Sequence, residues 1–148
     1  MDVVKLYLDS CCYGRHRDSQ KDVRIAAETI AIMTIVNDAP INGHCILGSM
    51  AVFDELSRIK DDELRTDILG FYNYAKDVVL KRGDKARAQV FHAAGVGATD
   101  SLHLATAEAA GADYLLTVDD DFERIATAKN LSKVKVMNPL TYLAGGTK

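Results

Sequence analysis

The stretch from Thr99 to Phe122, TDSLHLATAEAAGADYLLTVDDDF, decides the fold class. Residues 100 to 110 are rich in Ala and Leu and apolar on nearly every side, which marks a buried helix, and Gly111 is its stop signal. Tyr114 to Val118 then reads as a short apolar strand. Asp119-Asp120-Asp121 follows it, and a short helix runs from Phe122 to about Lys129. A buried helix feeding a continuously apolar strand belongs to a parallel sheet covered on both faces.

The same alternation extends outward. Val3 to Leu8 (VVKLYL) is an opening strand closed by Asp9, and Val23, Ala26, Ala27, Ile30 and Met33 then fall at helical spacing. Asn42-Gly43 is a turn signal before a second strand at Cys45-Ile46-Leu47, and Ser49 caps a helix through Met50, Phe53, Leu56 and Ile59. Asp61 and Asp62 open another helix through Leu64, Ile68 and Tyr72, and Ala86 to Ala94 forms one that ends at Gly95 and Gly97. Val134 to Met137 is a further strand, and Pro139 opens a last short helix. The pattern predicts an α/β fold, a three-layer α/β/α sandwich with a mostly parallel central sheet of four to five strands, in a single domain over residues 1–148.

Composition narrows the function. With 148 residues, 48% hydrophobic and 26% charged, the chain is globular and needs no metal or disulfide to hold its core. Its three cysteines, two of them adjacent, form no disulfide framework. The start Met1-Asp2-Val3 lacks the pattern of a signal peptide and no apolar run spans a membrane, so the expectation is a cytoplasmic protein with no membrane partner. A net charge of −3 gives no global basic signature for nucleic acid, although a local basic strip can coexist with it.

In open parallel sheets ligands bind beyond the carboxyl ends of the strands. Here those positions are acidic. Asp9 ends the first strand, Asp119 ends the Tyr114–Val118 strand, Glu55 lies in the helix after the second, and Asp100 opens the buried helix. Each has an ordinary alternative: a turn at Asp9, a helix dipole at Asp100, a helix cap at Asp119, a solvated helix face at Glu55. Together they form a cluster that a cation must neutralise, and all-oxygen ligands select hard ions such as magnesium or manganese. Phosphodiester hydrolysis is the chemistry that suits such a site. Ser10 and Thr117 stand beside these acids as supporting hydroxyls, His103 lies three residues after Asp100, and Arg15 and Arg17 offer a phosphate contact near Asp9.

These residues resemble the PIN domain. YLDSCCYGR at 7–15 is similar to that family's opening strand and first acid, Asp9 with Ser10 beside it, and VFDELSR at 52–58 is similar to the helix carrying the second, Glu55. Within 99–122, the Asp, the Ala-rich helix, the Gly-Ala turn, the apolar strand and Thr-x-Asp-x-Asp-Phe match the third and fourth acids, Asp100 and Asp119, with Asp121 accessory. The resemblance implies a magnesium- or manganese-dependent endoribonuclease acting on RNA. Many small members are toxins of the VapC type, so it also implies a cognate antitoxin protein and pairing into a homodimer. Cys11 stands where many members carry Asn.

Two other readings compete. A PIN-like module could bind RNA or protein without cutting it. Alternatively, Cys11 and Arg17 have the spacing of a cysteine phosphatase, in which a thiolate attacks phosphorus and an arginine clamps its oxygens.

Overall fold

The computed structural model describes residues 3–146; Met1 and Asp2, which enter the reading of the N-terminus, lie outside the described residues. Five strands, β1 (Lys5–Leu8), β2 (Cys45–Ser49), β3 (Val78–Leu80), β4 (Tyr114–Leu116) and β5 (Lys135–Met137), form one sheet in the order β3-β2-β1-β4-β5. Every pairing is parallel, with Tyr7 opposite Leu47 and Leu8 opposite Leu116. Leu6, Tyr7 and Leu8 are consecutive and all buried, which requires cover on both sheet faces because successive strand side chains point to opposite sides.

Eight helices supply that cover: α1 (Ser10–Gly14), α2 (Val23–Asn42), α3 (Met50–Ser57), α4 (Asp62–Ala75), α5 (Lys85–Ala93), α6 (Ala98–Ala109), α7 (Asp120–Ala128) and α8 (Pro139–Thr141). The expected three-layer α/β/α sandwich is the fold. Among the described residues no helix is long and apolar enough to cross a membrane.

Local chemistry fixes the helix starts. Ser49 Oγ accepts from the Val52 amide at 3.0 Å, and Asp61 Oδ1 accepts from the Leu64 amide at 2.8 Å, as their sequence positions predict. Gly111 takes φ +70° just past α6, a conformation that favours glycine. Gly83 permits a different feature: a Cβ there would lie 2.5 Å from the Thr106 amide nitrogen, so only glycine lets the loop after β3 lie against α6.

Two details differ from the sequence reading. The segment Val78–Leu80, left without an assignment there, is the edge strand β3. The strand expected at Tyr114–Val118 ends at Leu116; the Thr117 amide still donates to the Met137 carbonyl at 3.0 Å, and its hydroxyl is directed to Asp9.

The topology positions the site. From β1 the chain builds outward through β2 to β3, then returns to lay β4 on the other side of β1. Beyond the carboxyl ends of β1 and β4 lies the crevice where open sheets place ligands. Asp9 and Thr117 are the first residues past those ends, and the Asp9 amide donates to the Leu116 carbonyl at 2.9 Å.

Candidate metal centre

Asp9 caps α1 and is almost fully buried. Its Oδ1 accepts from the Ser10 amide at 2.7 Å and its Oδ2 from the Thr117 hydroxyl at 2.8 Å, with the Cys11 thiol at 3.4 Å from the same oxygen. Strand, helix and loop thus fix the carboxylate in one orientation.

Glu55 enters from α3 and is half-buried. Its Oε1 lies 2.8 Å from His103 Nε2, and His103, on α6, has an exposure of 0%. The same nitrogen is 3.6 Å from Asp9 Oδ1. Ligand atoms of Asp9, Glu55 and His103 all lie within 4.8 Å of one another. Behind the ring, Nδ1 is 2.7 Å from the Tyr7 hydroxyl, which is 2.7 Å from Ser49 Oγ.

Asp100 sits in the first turn of α6 and Asp119 caps α7, accepting from the Asp121 and Phe122 amides at 3.0 and 3.1 Å. Asp119 is therefore the helix cap that its sequence position allows, with its carboxylate exposed. Asp100 and Asp119 line a cleft of about 310 Å³ with Gly97 and Phe122. Asp120 turns away to a bidentate pair with Arg24, and Asp121 pairs with Arg124 at 3.2 Å.

The electrostatics tie these groups together. Burial, followed by the charges of Asp9 and Asp119, pushes the Asp100 carboxyl up to about 7. For Glu55 burial acts upward, but hydrogen bonds from His103 and Ser10 outweigh it and hold the carboxyl below its usual range. Burial disfavours the His103 cation, yet the Glu55 hydrogen bond and the charges of Asp9 and Asp100 raise its pKa. Among the described residues, no lysine or arginine forms an ion pair with Asp9, Glu55, Asp100 or Asp119.

That donor set fits a divalent cation. Asp9, Glu55 and His103 bring their ligand atoms together, while Asp100 and Asp119 line the neighbouring cleft and are tied to the group through the burial and the Asp9 and Asp119 charges that raise Asp100.

The arginines are placed differently. Arg15 donates to Glu28 at 2.7 and 3.0 Å and to Asp18 at 3.0 Å, and Arg17 donates to Asp67 at 2.8 Å. A second cleft, of about 240 Å³, contains Glu55 together with Arg58, Arg82 and Thr99. Tyr7, Ser49 and Arg58 carry no motif of their own; only their position against Glu55 and His103 brings them to the site.

The cysteine-phosphatase reading fails on geometry and charge. The contact with Cys12, burial and the Asp9 charge push the Cys11 thiol well above its ordinary pKa, so it stays protonated, and Arg17 is paired with Asp67 rather than with a loop around Cys11.

Comparison with the curated proteins finds no match. Comparison with family models matches the PIN domain over residues 7–128, the span that contains all four acids; its members are generally nucleases that use divalent metals. With that match over most of its 148 residues and the acids set beyond β1 and β4, the chain belongs to the PIN domain family.

Proposed function

We propose that this chain is a divalent-metal-dependent endoribonuclease that hydrolyses RNA phosphodiester bonds, with magnesium or manganese held by Asp9, Glu55, Asp100 and Asp119. The observation that carries the reading is the convergence of Asp9, Glu55 and His103, whose ligand atoms lie within 4.8 Å of one another, with the Asp100 carboxyl raised to about 7 by burial and by the charges of Asp9 and Asp119.

The residues divide the work. Asp9, locked by Thr117 and the Ser10 amide, supplies fixed oxygens, and His103 holds Glu55 against them. Asp100 and Asp119 line the open cleft, and whichever of the four carboxylates is not bound to the ion would orient the attacking water. When bound, the ion lowers the pKa of water from its bulk value of ~15.7 and offsets charge on the phosphoryl oxygens. Thr117 and Ser10 orient the acids, and Asp121 lies at the cleft rim.

For substrate contact, Arg58 lines the cleft that shares Glu55 and offers its charge to a phosphate next to the scissile one, whereas Arg82 in the same cleft is paired with Asp54. Arg15 and Arg17 reach RNA only by exchanging their present acidic partners for phosphates. A toxin role, a cognate antitoxin and a homodimer belong to the same proposal and rest on the resemblance of so small a chain to VapC-type members.

The test is cleavage of end-labelled structured and single-stranded RNA with manganese, with magnesium and with chelator, beside Asp9→Asn. Metal-dependent cutting that falls at least about a hundredfold in the variant supports the reading. Equal cutting by both proteins, or cutting that survives chelator, overturns it. RNA retention without cutting selects the binding-module alternative, and Cys11→Asn is then the first restoration to try.

A further inference from the structure

His103 is built on both sides of its ring. Nε2 faces three oxygens: Glu55 Oε1 at 2.8 Å, Ser10 Oγ at 3.3 Å and Asp9 Oδ1 at 3.6 Å. One N–H serves Glu55 and the Ser10 hydroxyl can itself donate, so what describes a position for a cation is the convergence of ligand atoms from Asp9, Glu55 and His103, all within 4.8 Å of one another. On the far side, Nδ1 meets the Tyr7 hydroxyl at 2.7 Å, and Tyr7 meets Ser49 Oγ at 2.7 Å. Ser49 is itself fixed by the Val52 amide.

The Tyr7–Ser49 pair fixes the ring's orientation and accommodates either tautomer. With its proton on Nδ1, His103 donates to Tyr7 and Tyr7 donates to Ser49, which leaves the Nε2 lone pair aimed at the two carboxylates. Metal-ligating histidines commonly hold their second nitrogen in this way, and the partner fixes both tautomer and ring plane. The other tautomer, Nε2–H donating to Glu55 at 2.8 Å, uses the same atoms.

We propose that His103 ligates the divalent ion directly through Nε2, alongside Asp9 and Glu55. The inference rests on the reading of the acidic cluster as a metal centre and deepens it. Two carboxylates and an imidazole form a mixed site, and imidazole nitrogen favours transition ions over magnesium. Manganese is therefore the preferred ion.

Pulsed electron paramagnetic resonance on the manganese-loaded wild-type protein reads this without any activity assay. The expected result is a directly coordinated 14N coupling that is replaced by 15N when histidine alone is isotopically labelled. The chain has four histidines; His16 lies against Asp67, His92 bonds the Val96 carbonyl, and neither His16, His44 nor His92 belongs to the Asp9–Glu55–His103 group. In His103→Gln the coupling disappears and manganese affinity falls at least about tenfold, with a smaller loss for magnesium. Bound manganese without nitrogen coupling in the wild type overturns the proposal and leaves a carboxylate-only centre, with His103 a positioning donor to Glu55. Failure to bind manganese at all overturns both this proposal and the metal-centre reading. Isotope labelling of the wild type keeps the test decisive even where the His103 variant does not fold.

Discussion

Two buried acidic regions of this molecule are neutralised in opposite ways. Glu28, on α2, has no exposed surface and is met by two protein cations, Arg15 at 2.7 Å and Arg24 at 3.3 Å, and by the neutral Asn138 side-chain amide at 2.5 Å. Asp9 and Glu55 are met by a hydroxyl, a backbone amide and one histidine, and neither they nor Asp100 is paired to a lysine or arginine among the described residues. The same sheet end thus holds a carboxylate with its own counterions and a cluster without them. Where the chain supplies the cation, the group is architectural, joining α2 to the loop after α1 and to the start of α8. Where it does not, the proposed divalent ion would supply the charge.

The sharpest way to break this contrast is Glu28→Ala. The variant strands Arg15 and the Asn138 amide, and removal of one partner from a buried ion pair costs about 3 kcal/mol or more. Urea denaturation monitored by circular dichroism should show that loss equally with manganese and with chelator. A loss that grows on adding manganese would place Glu28 in the metal centre and erase the distinction between the two regions.

Asp100→Asn gives a smaller effect of the opposite sign. The native Asp100 carboxyl titrates at about 7, above its ordinary value of 3.8. Between those values the folded protein holds a proton that the unfolded chain has released, so stability falls as pH rises through this window. The variant removes that loss. In chelator, its melting temperature should match the wild type near pH 4 and exceed it progressively up to pH 8, whereas saturating manganese should shrink the gain at pH 8 by stabilising the wild-type site. A constant difference across the pH range would show that Asp100 is not repelled by its neighbours.

The two regions also differ in how far they could be read from the sequence. Leu6-Tyr7-Leu8 and Tyr114-Leu115-Leu116 are consecutive apolar runs, so a strand covered on both faces and the acids just beyond it follow from the order of residues. The caps at Ser49 and Asp61 are local and equally legible. β3 was not, because three residues are too few to show a period and its Val78 and Val79 are exposed at the sheet edge. Arg15 stands six residues after Asp9 in the chain, yet its guanidinium is claimed by Glu28, which is visible only once α2 has packed. Likewise, Tyr7 lies 42 residues from Ser49 and 96 from His103, and only the parallel register of β1 on β2 brings the three together.

That last contact is the subtlest part of the comparison, and Tyr7→Phe isolates it. The substitution keeps the buried ring and its tilted packing on His103, with centroids 5.7 Å apart, and removes only the hydroxyl between His103 and Ser49. Leaving those two buried groups each short of a partner costs about 1–2 kcal/mol. The loss should be accompanied by weaker manganese binding, because the imidazole is no longer held in the ring plane that faces Asp9 and Glu55. The Glu28 network touches none of these atoms, so Glu28→Ala lowers stability without that selective loss. Titration calorimetry on both variants decides the matter. Unchanged manganese affinity in Tyr7→Phe, beside the expected fall in stability, would make the Tyr7–Ser49 pair a core contact with no part in setting up the metal centre.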